Sequence, residues 1–215
     1  MYSVYQNASA AYSYILEALK DHGNDVGNTL ELLNISACIE NPLDNIITHP
    51  NRKFNVKYAQ AEWEWYLSGD RSIKKLKELY GKVPPIWKNV ATDGMVMSNY
   101  GWQWNKNNQL SRVIDMLRED PNTRRAVITI HDQKEGDTYT LDHPCTESIQ
   151  FIQRDNRLHM IVNMRSCDIV YGFCNDQYCF SKLQEMVSKE LNISVGRYFH
   201  NSGSIHIYKH HYELF

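Results

Sequence analysis

A chain of 215 residues with 42% hydrophobic and 22% charged side chains can build one substantial core, and we read residues 1–215 as a single domain. A formal net charge of -2 lacks the basic field of a nucleic-acid-binding surface, so no direct nucleic-acid contact is expected. Five cysteines without a C-x-x-C pair argue against a disulfide framework or a zinc ribbon, and no apolar run approaches the ~20 residues of a membrane span. The start, "MYSVYQNASAAYSYILEALKD", also lacks the basic, apolar pattern of a signal peptide, so a cytoplasmic protein with reduced thiols is expected.

In chain order, residues 8–21 carry Tyr12, Ile15, Leu16 and Leu19 at helical spacing. Residues 29–40 alternate like a strand, and 41–55 form a polar loop with two prolines. "VKYAQAEWEWYL" (56–67) predicts a helix stopped at Ser68-Gly69-Asp70, and 72–81 a short helix ended by Gly81. The segment 84–104 reads as an irregular aromatic loop. Residues 108–120 predict an amphipathic helix closed by the turn "DPNTRR". Strands are predicted at 125–131, 148–153, 157–165 and 203–209, with a helix over 177–192. This order has no regular βαβ alternation and no glycine-rich phosphate loop, so it predicts an α+β fold with a mixed or antiparallel sheet and flanking helices.

Several short stretches could carry chemistry. Cys145 in "DHPCTES" follows a proline at the mouth of a strand, a place suited to a thiolate nucleophile, although most such cysteines are small core residues. "LHMIVNMRSCDIVYGFCNDQ" (158–177) ends an apolar run with Arg165, Ser166, Asp168 and Asp176. Charges at the end of a buried strand must pair with each other or with a polar ligand. Arg124 and Arg125 have the forks that suit phosphate, or form an ordinary solvated pair. Glu62 shares a helical face with Tyr58, Ala59 and Tyr66, where a carboxyl gains a raised pKa; periodicity alone does not separate it from Glu64. His206 and Tyr208 alternate on one strand face, and "HIYKHHY" has no recognised metal spacing, so no metal site is expected.

Taken in series, "EWEWYLSGD", "IW", "NYGWQW", "DPNTRR", "PCTESIQF", "MRSCDIVYGF-CND" and "GSIHIY" resemble the thymidylate synthase superfamily over residues 52–212. The resemblance implies an α+β homodimer that binds a pyrimidine nucleoside monophosphate and takes its one-carbon unit from 5,10-methylenetetrahydrofolate. It implies that Cys145 is the nucleophile and Glu62 the proton-managing carboxylate. Arg165 and Ser166 would hold phosphate, with Arg124 and Arg125 reaching it from the other subunit. His206 and Tyr208 would hold the sugar hydroxyl. Asp168 would meet the pterin, Trp87 and Tyr100 would line the pocket, and Arg52 would serve either the phosphate or the folate's tail.

Four positions depart from the synthases. Asp176 stands where they carry a uracil-reading Asn, Thr146 where they have His, Asn163 where they have Gln, and Ser204 where they have Asp. A carboxylate is repelled by O4 of uracil but accepts from N4 of cytosine. The pattern therefore looks like the deoxycytidylate hydroxymethylases of T-even bacteriophages, in which water captures the methylene, and it implies dCMP as substrate. Uracil or ribose substrates, a methyl product and a non-catalytic relative remain open at this point, as does a plain helix-capping role for Asp176. The chain ends at "HHYELF", so looser closure over folate than in the family is expected.

Overall fold

A computed structural model describes residues 3–131 and 141–215 of the chain. Among these, seven strands form one mixed sheet: β1 (Ser3–Tyr5), β2 (Asn24–Val26), β3 (Thr29–Ile39), β4 (Val127–Thr129), β5 (Thr146–Arg154), β6 (Arg157–Asp168) and β7 (Ser194–Tyr208). Their order is β1-β3-β7-β6-β5-β4, with β2 folded back on β3. The β6–β7 and β1–β3 pairs are parallel and the others antiparallel. The α+β expectation with a mixed sheet is met.

The alternating apolar pattern of β6 explains its place at the centre. Leu158, Met160, Val162 and Met164 are buried on one face, joined by Ile149 and Phe151 of β5 and Tyr198, Ile205 and Ile207 of β7. Helix α1 (Ala8–His22) packs on β3, and α7 (Cys174–Glu190) packs on β6 and β7. Helix α2 (Val56–Ser68) lies on α7, with α3 (Ile73–Tyr80) beside it. Asn7 and Asn55 cap α1 and α2, accepting from the backbone of Ala10 and Tyr58.

The opposite face of the sheet is only partly covered in the single chain. Across its middle runs a polar row. Asn163 donates to Ser148 (3.1 Å), Asn201 donates to Asn163 (3.0 Å), and Ser36 donates to Asn201 (2.7 Å). These residues are register neighbours on β5, β6, β7 and β3.

Three expectations are corrected. The stretch 84–104 is not wholly irregular, because it holds α4 (Pro85–Val90) and α5 (Tyr100–Asn105). Pro85 starts the first of these, and Asn99 caps the second by accepting from Trp102 N. Helix α5 approaches α2 so closely that a Cβ on Gly101 would lie 1.5 Å from the Tyr66 carbonyl oxygen. The last strand begins at Ser194 rather than 203, and the helix after β6 begins at Cys174 rather than 177. The amphipathic helix α6 (Gln109–Glu119) lies as expected, packing on α5 and β4.

Candidate active site

The stretch from Arg157 to the first turn of α7 supplies Arg165, Ser166, Asp168 and Asp176. After Asp168 the chain makes one wide π-type turn, Ile169–Phe173, that runs directly into α7. Asp168 caps this turn, accepting from Val170 N (3.0 Å) and Tyr171 N (3.2 Å). The wide turn carries Asp176 back towards the strand end. A Cβ placed on Gly172 would stand 3.7 Å from Asp176 Oδ2, Asp168 Cβ and Cys167 Sγ alike.

Asp176 is thus in the first turn of α7, not at its cap, so the capping role is excluded. It is half-buried and receives no hydrogen bond among the described residues. Burial raises its pKa well above the ordinary carboxyl range, and the charges of Glu62 and Asp168 push it further.

Glu62 lies across the cleft on α2 and is 3% exposed, whereas Glu64 faces solvent. Periodicity could not separate the two. The packing of α2 against α7 does. Burial raises the Glu62 pKa to about 7, and hydrogen bonding from Tyr58 and Trp87 opposes the rise. Tyr58 OH donates to Glu62 Oε1 at 2.5 Å, and Trp87 Nε1 donates to Tyr58 OH at 2.7 Å. Trp87 therefore acts on the carboxyl through Tyr58, a link that the i, i+4 spacing of Tyr58 and Glu62 foreshadows.

Cys145 is part-exposed at the start of β5. Burial pushes its thiol up to about 11, and the Arg165 guanidinium pulls the other way. Arg165 grips the nucleophile's loop: its Nε donates to Pro144 O (3.1 Å) and its Nη2 to His143 O (2.8 Å). Its backbone N also bonds Cys145 O (2.9 Å), and Nη2 is 3.8 Å from Cys145 Sγ. Thr146 N donates to Tyr100 OH at 3.3 Å, fixing the other side of Cys145.

The parallel β6–β7 ladder sets Ser166 beside Ser204 and Asp168 beside His206. His206 and Tyr208 meet edge-to-face with centroids 5.3 Å apart. Burial lowers the His206 pKa, keeping the ring neutral at pH 7, while Asp168 and Glu31 oppose. Arg52 reaches the same end of the sheet: Nε donates to Val170 O at 2.9 Å and the guanidinium lies 5.3 Å over the Tyr171 ring.

Cys145, Glu62, Asp176, Arg165, Ser166, Asp168, His206, Tyr208, Trp87 and Arg52 thus gather at one end of the sheet. Arg124 and Arg125 do not. Both are exposed beside β4, where Ala126 O accepts from Phe151 N. Phe151 lies roughly 20 Å along β5 from Cys145 at ~3.3 Å per residue. Among the described residues no group of three His, Cys, Asp or Glu could hold a metal ion, and no helix is long and apolar enough to cross a membrane.

The chain is similar to the deoxycytidylate 5-hydroxymethyltransferase of Enterobacteria phage T4, 34% identical over 177 residues that cover 74% of this chain and 70% of that protein. It is also similar to the thymidylate synthase of Buchnera aphidicola subsp. Schizaphis graminum, 31% identical over 172 residues, 76% of this chain and 64% of that protein. The solved thermostable thymidylate synthase A from Bacillus subtilis shares the fold, with a TM-score of 0.79 at 22% identity over 96% of this chain and 82% of that one. The thymidylate synthase family profile matches residues 24–215, and with these likenesses it shows that the chain belongs to the thymidylate synthase family.

Proposed function

We propose that this folate-dependent one-carbon transferase is a dCMP 5-hydroxymethyltransferase. The observation that supports the reading is Asp176, a carboxyl in the first turn of α7, near Cys145, whose pKa burial raises. Cytosine presents an acceptor at N3 and a donor at N4. Asp176 donates its proton to N3 and, as a carboxylate, then accepts from both N3–H and N4–H. Protonation at N3 draws electrons from C6. Uracil already carries hydrogen at N3, so it takes no proton there, and the ionised carboxyl would face its O4 where cytosine presents an amino group.

The remaining residues take roles that follow from their places. Arg165 and Ser166 bind the nucleotide's phosphate, and His206 with Tyr208 hold the sugar hydroxyl. Cys145 loses its proton and its sulfur bonds C6, which sends the C5–C6 π pair to C5. C5 would take the one-carbon unit as that carbon's bonds to the folate nitrogens break, and Glu62, with a pKa of about 7, moves protons and orients the water whose oxygen then bonds that carbon. The C5 hydrogen leaves as a proton, and Cys145 is released when the C5–C6 double bond re-forms. The acid Asp168, the Trp87 ring and the cation Arg52 beside the open Tyr171 ring suit a pterin with an anionic tail. Methylenetetrahydrofolate supplies the one-carbon unit there. The partly covered face of the sheet pairs with a second copy, and Arg124 and Arg125 serve the phosphate of that partner. A cytoplasmic site of action fits the free thiols.

The test is tritium release from C5-labelled dCMP or dUMP with methylenetetrahydrofolate, together with the mass of the product. Release from dCMP with a hydroxymethyl product is expected. Release from dUMP alone overturns the assignment of Asp176 as reader of cytosine.

A further inference from the structure

Asp142 lies three residues before Cys145, is 8% exposed, and has no role in the chemistry above. Its carboxylate meets no cation among the described residues. It is instead filled by the loop before α5: Oδ2 accepts from Met97 N (2.5 Å) and Ser98 N (2.7 Å), and Oδ1 accepts from the Ser98 hydroxyl. That loop is anchored in turn. Asn99 Nδ2 donates to Trp65 O (3.3 Å) and Asp70 O (3.1 Å), and Gln103 Nε2 donates to Met97 O (2.8 Å). Trp65 is on α2, less than one turn from Glu62.

We propose that Asp142 is a positioning residue that fixes Cys145 relative to Glu62. The path runs from α2 through Asn99 to Ser98, to Asp142 and on to the nucleophile. Arg165 fixes the same short loop from the β6 side through the carbonyls of His143 and Pro144. The Cys145 backbone is therefore tied to both walls of the cleft. Arg165 holds it to the sheet and the Thr146 N bond to Tyr100 OH ties the residue after it to α5, while Asp142 ties the loop before it to the segment that Asn99 anchors on α2. A displacement of about 1 Å between a nucleophile and its proton carrier costs on the order of 100-fold in rate.

The inference rests on the reading of Cys145 and Glu62 given above, and its test separates the two. Asp142→Leu removes all three hydrogen bonds. Asp142→Asn can remake them, with its amide oxygen on the two backbone N–H groups and its NH2 donating to the Ser98 hydroxyl. The readouts are tritium exchange from dCMP and the rate of iodoacetamide alkylation at each cysteine by mass spectrometry. Cys38, Cys167, Cys174 and Cys179 are buried and serve as internal controls. For Asp142→Leu we expect several-fold faster alkylation at Cys145 alone and about 100-fold slower exchange. Asp142→Asn should match the parent chain in both.

Equal alkylation in all three chains overturns the proposal. So does loss in Asp142→Asn as large as in Asp142→Leu, which would assign the effect to charge. Joint exposure of all five cysteines overturns it as well, because it would mean general unfolding. If Asp142→Leu does not fold, Ser98→Ala, which deletes one of the three bonds, must still raise alkylation at Cys145 selectively, and a parent-like rate there overturns the proposal. Absence of exchange in the parent chain would refute the substrate reading, while the alkylation pattern would still decide the role of Asp142.

Discussion

Glu62→Gln should make the protein more stable and less active, and the size of the gain follows from the buried carboxyl. The pKa of Glu62 is raised from 4.5 to about 7 by burial. Below pH 4.5 both folded and unfolded chains hold the proton, so the group is neutral in its effect. Between 4.5 and about 7 the unfolded chain ionises while the folded one does not, so stability falls as pH rises. Above 7 the folded carboxyl ionises too and the loss is complete. A separation of about 2.5 pH units at ~1.36 kcal/mol each amounts to about 3 kcal/mol.

Glutamine carries no proton to lose, and its amide oxygen still accepts from Tyr58 OH. The variant should match the parent near pH 4.5 and exceed it by about 3 kcal/mol at pH 8, a Tm gain of roughly 6–12 °C. Relief of Asp176, whose pKa Glu62 helps to raise, adds in the same direction. Urea unfolding followed by tryptophan fluorescence at both pH values, at one protomer concentration, measures the difference. A difference between the chains that does not change with pH would refute the argument, because the carboxyl would then not be paying its desolvation cost on ionising.

Other perturbations probe neighbouring parts of the site. Asp176→Asn should move the ratio of kcat/KM for dCMP over dUMP towards dUMP by at least tenfold, about 1.4 kcal/mol of discrimination; an unchanged ratio would remove Asp176 as the base reader. Cys145→Ser should abolish tritium exchange while calorimetry still detects nucleotide binding. Tyr58→Phe deletes a hydrogen bond that holds the Glu62 pKa down, so the limb of the pH–rate profile assigned to Glu62 should move to higher pH. Gly101→Ala places a methyl group against the Tyr66 carbonyl oxygen; a loss of at least about 3 kcal/mol in urea unfolding is expected.

Where the sequence was readable, local pattern and burial agreed. The alternation in "RLHMIVNM" marks β6 because one face of it packs on α7, and Asn55 with Gly69 brackets α2 as cap and left-handed stop. The early part of β7 was hidden, since Gly196, His200, Asn201 and Ser202 dilute its apolar signal, although Asn201 bonds to neighbouring strands and His200 packs edge-on to Phe173. The start of α7 was misplaced because Asp168 and Gly172 read as a loop, whereas a wide turn joins strand to helix without a break. The gathering of Cys145, Glu62 and Asp176 was legible only through resemblance. Their contacts cross three elements, and no periodicity links them. Tyr58 was visible as a neighbour of Glu62, but the bond from Trp87 to it was not.

The row of Ser36, Asn201, Asn163 and Ser148 across four strands has a further consequence. In a sheet, sliding one strand by two residues preserves which side chains face inward, so hydrophobic burial alone discriminates weakly against that error. The row closes this loophole. A two-residue slip of β7 would separate Asn201 from both Ser36 and Asn163 at once, stranding amides that the native pairing satisfies. The row thus works like the notches of a key, and it holds in phase the strands whose ends must bring Arg165 and His206 to the same place.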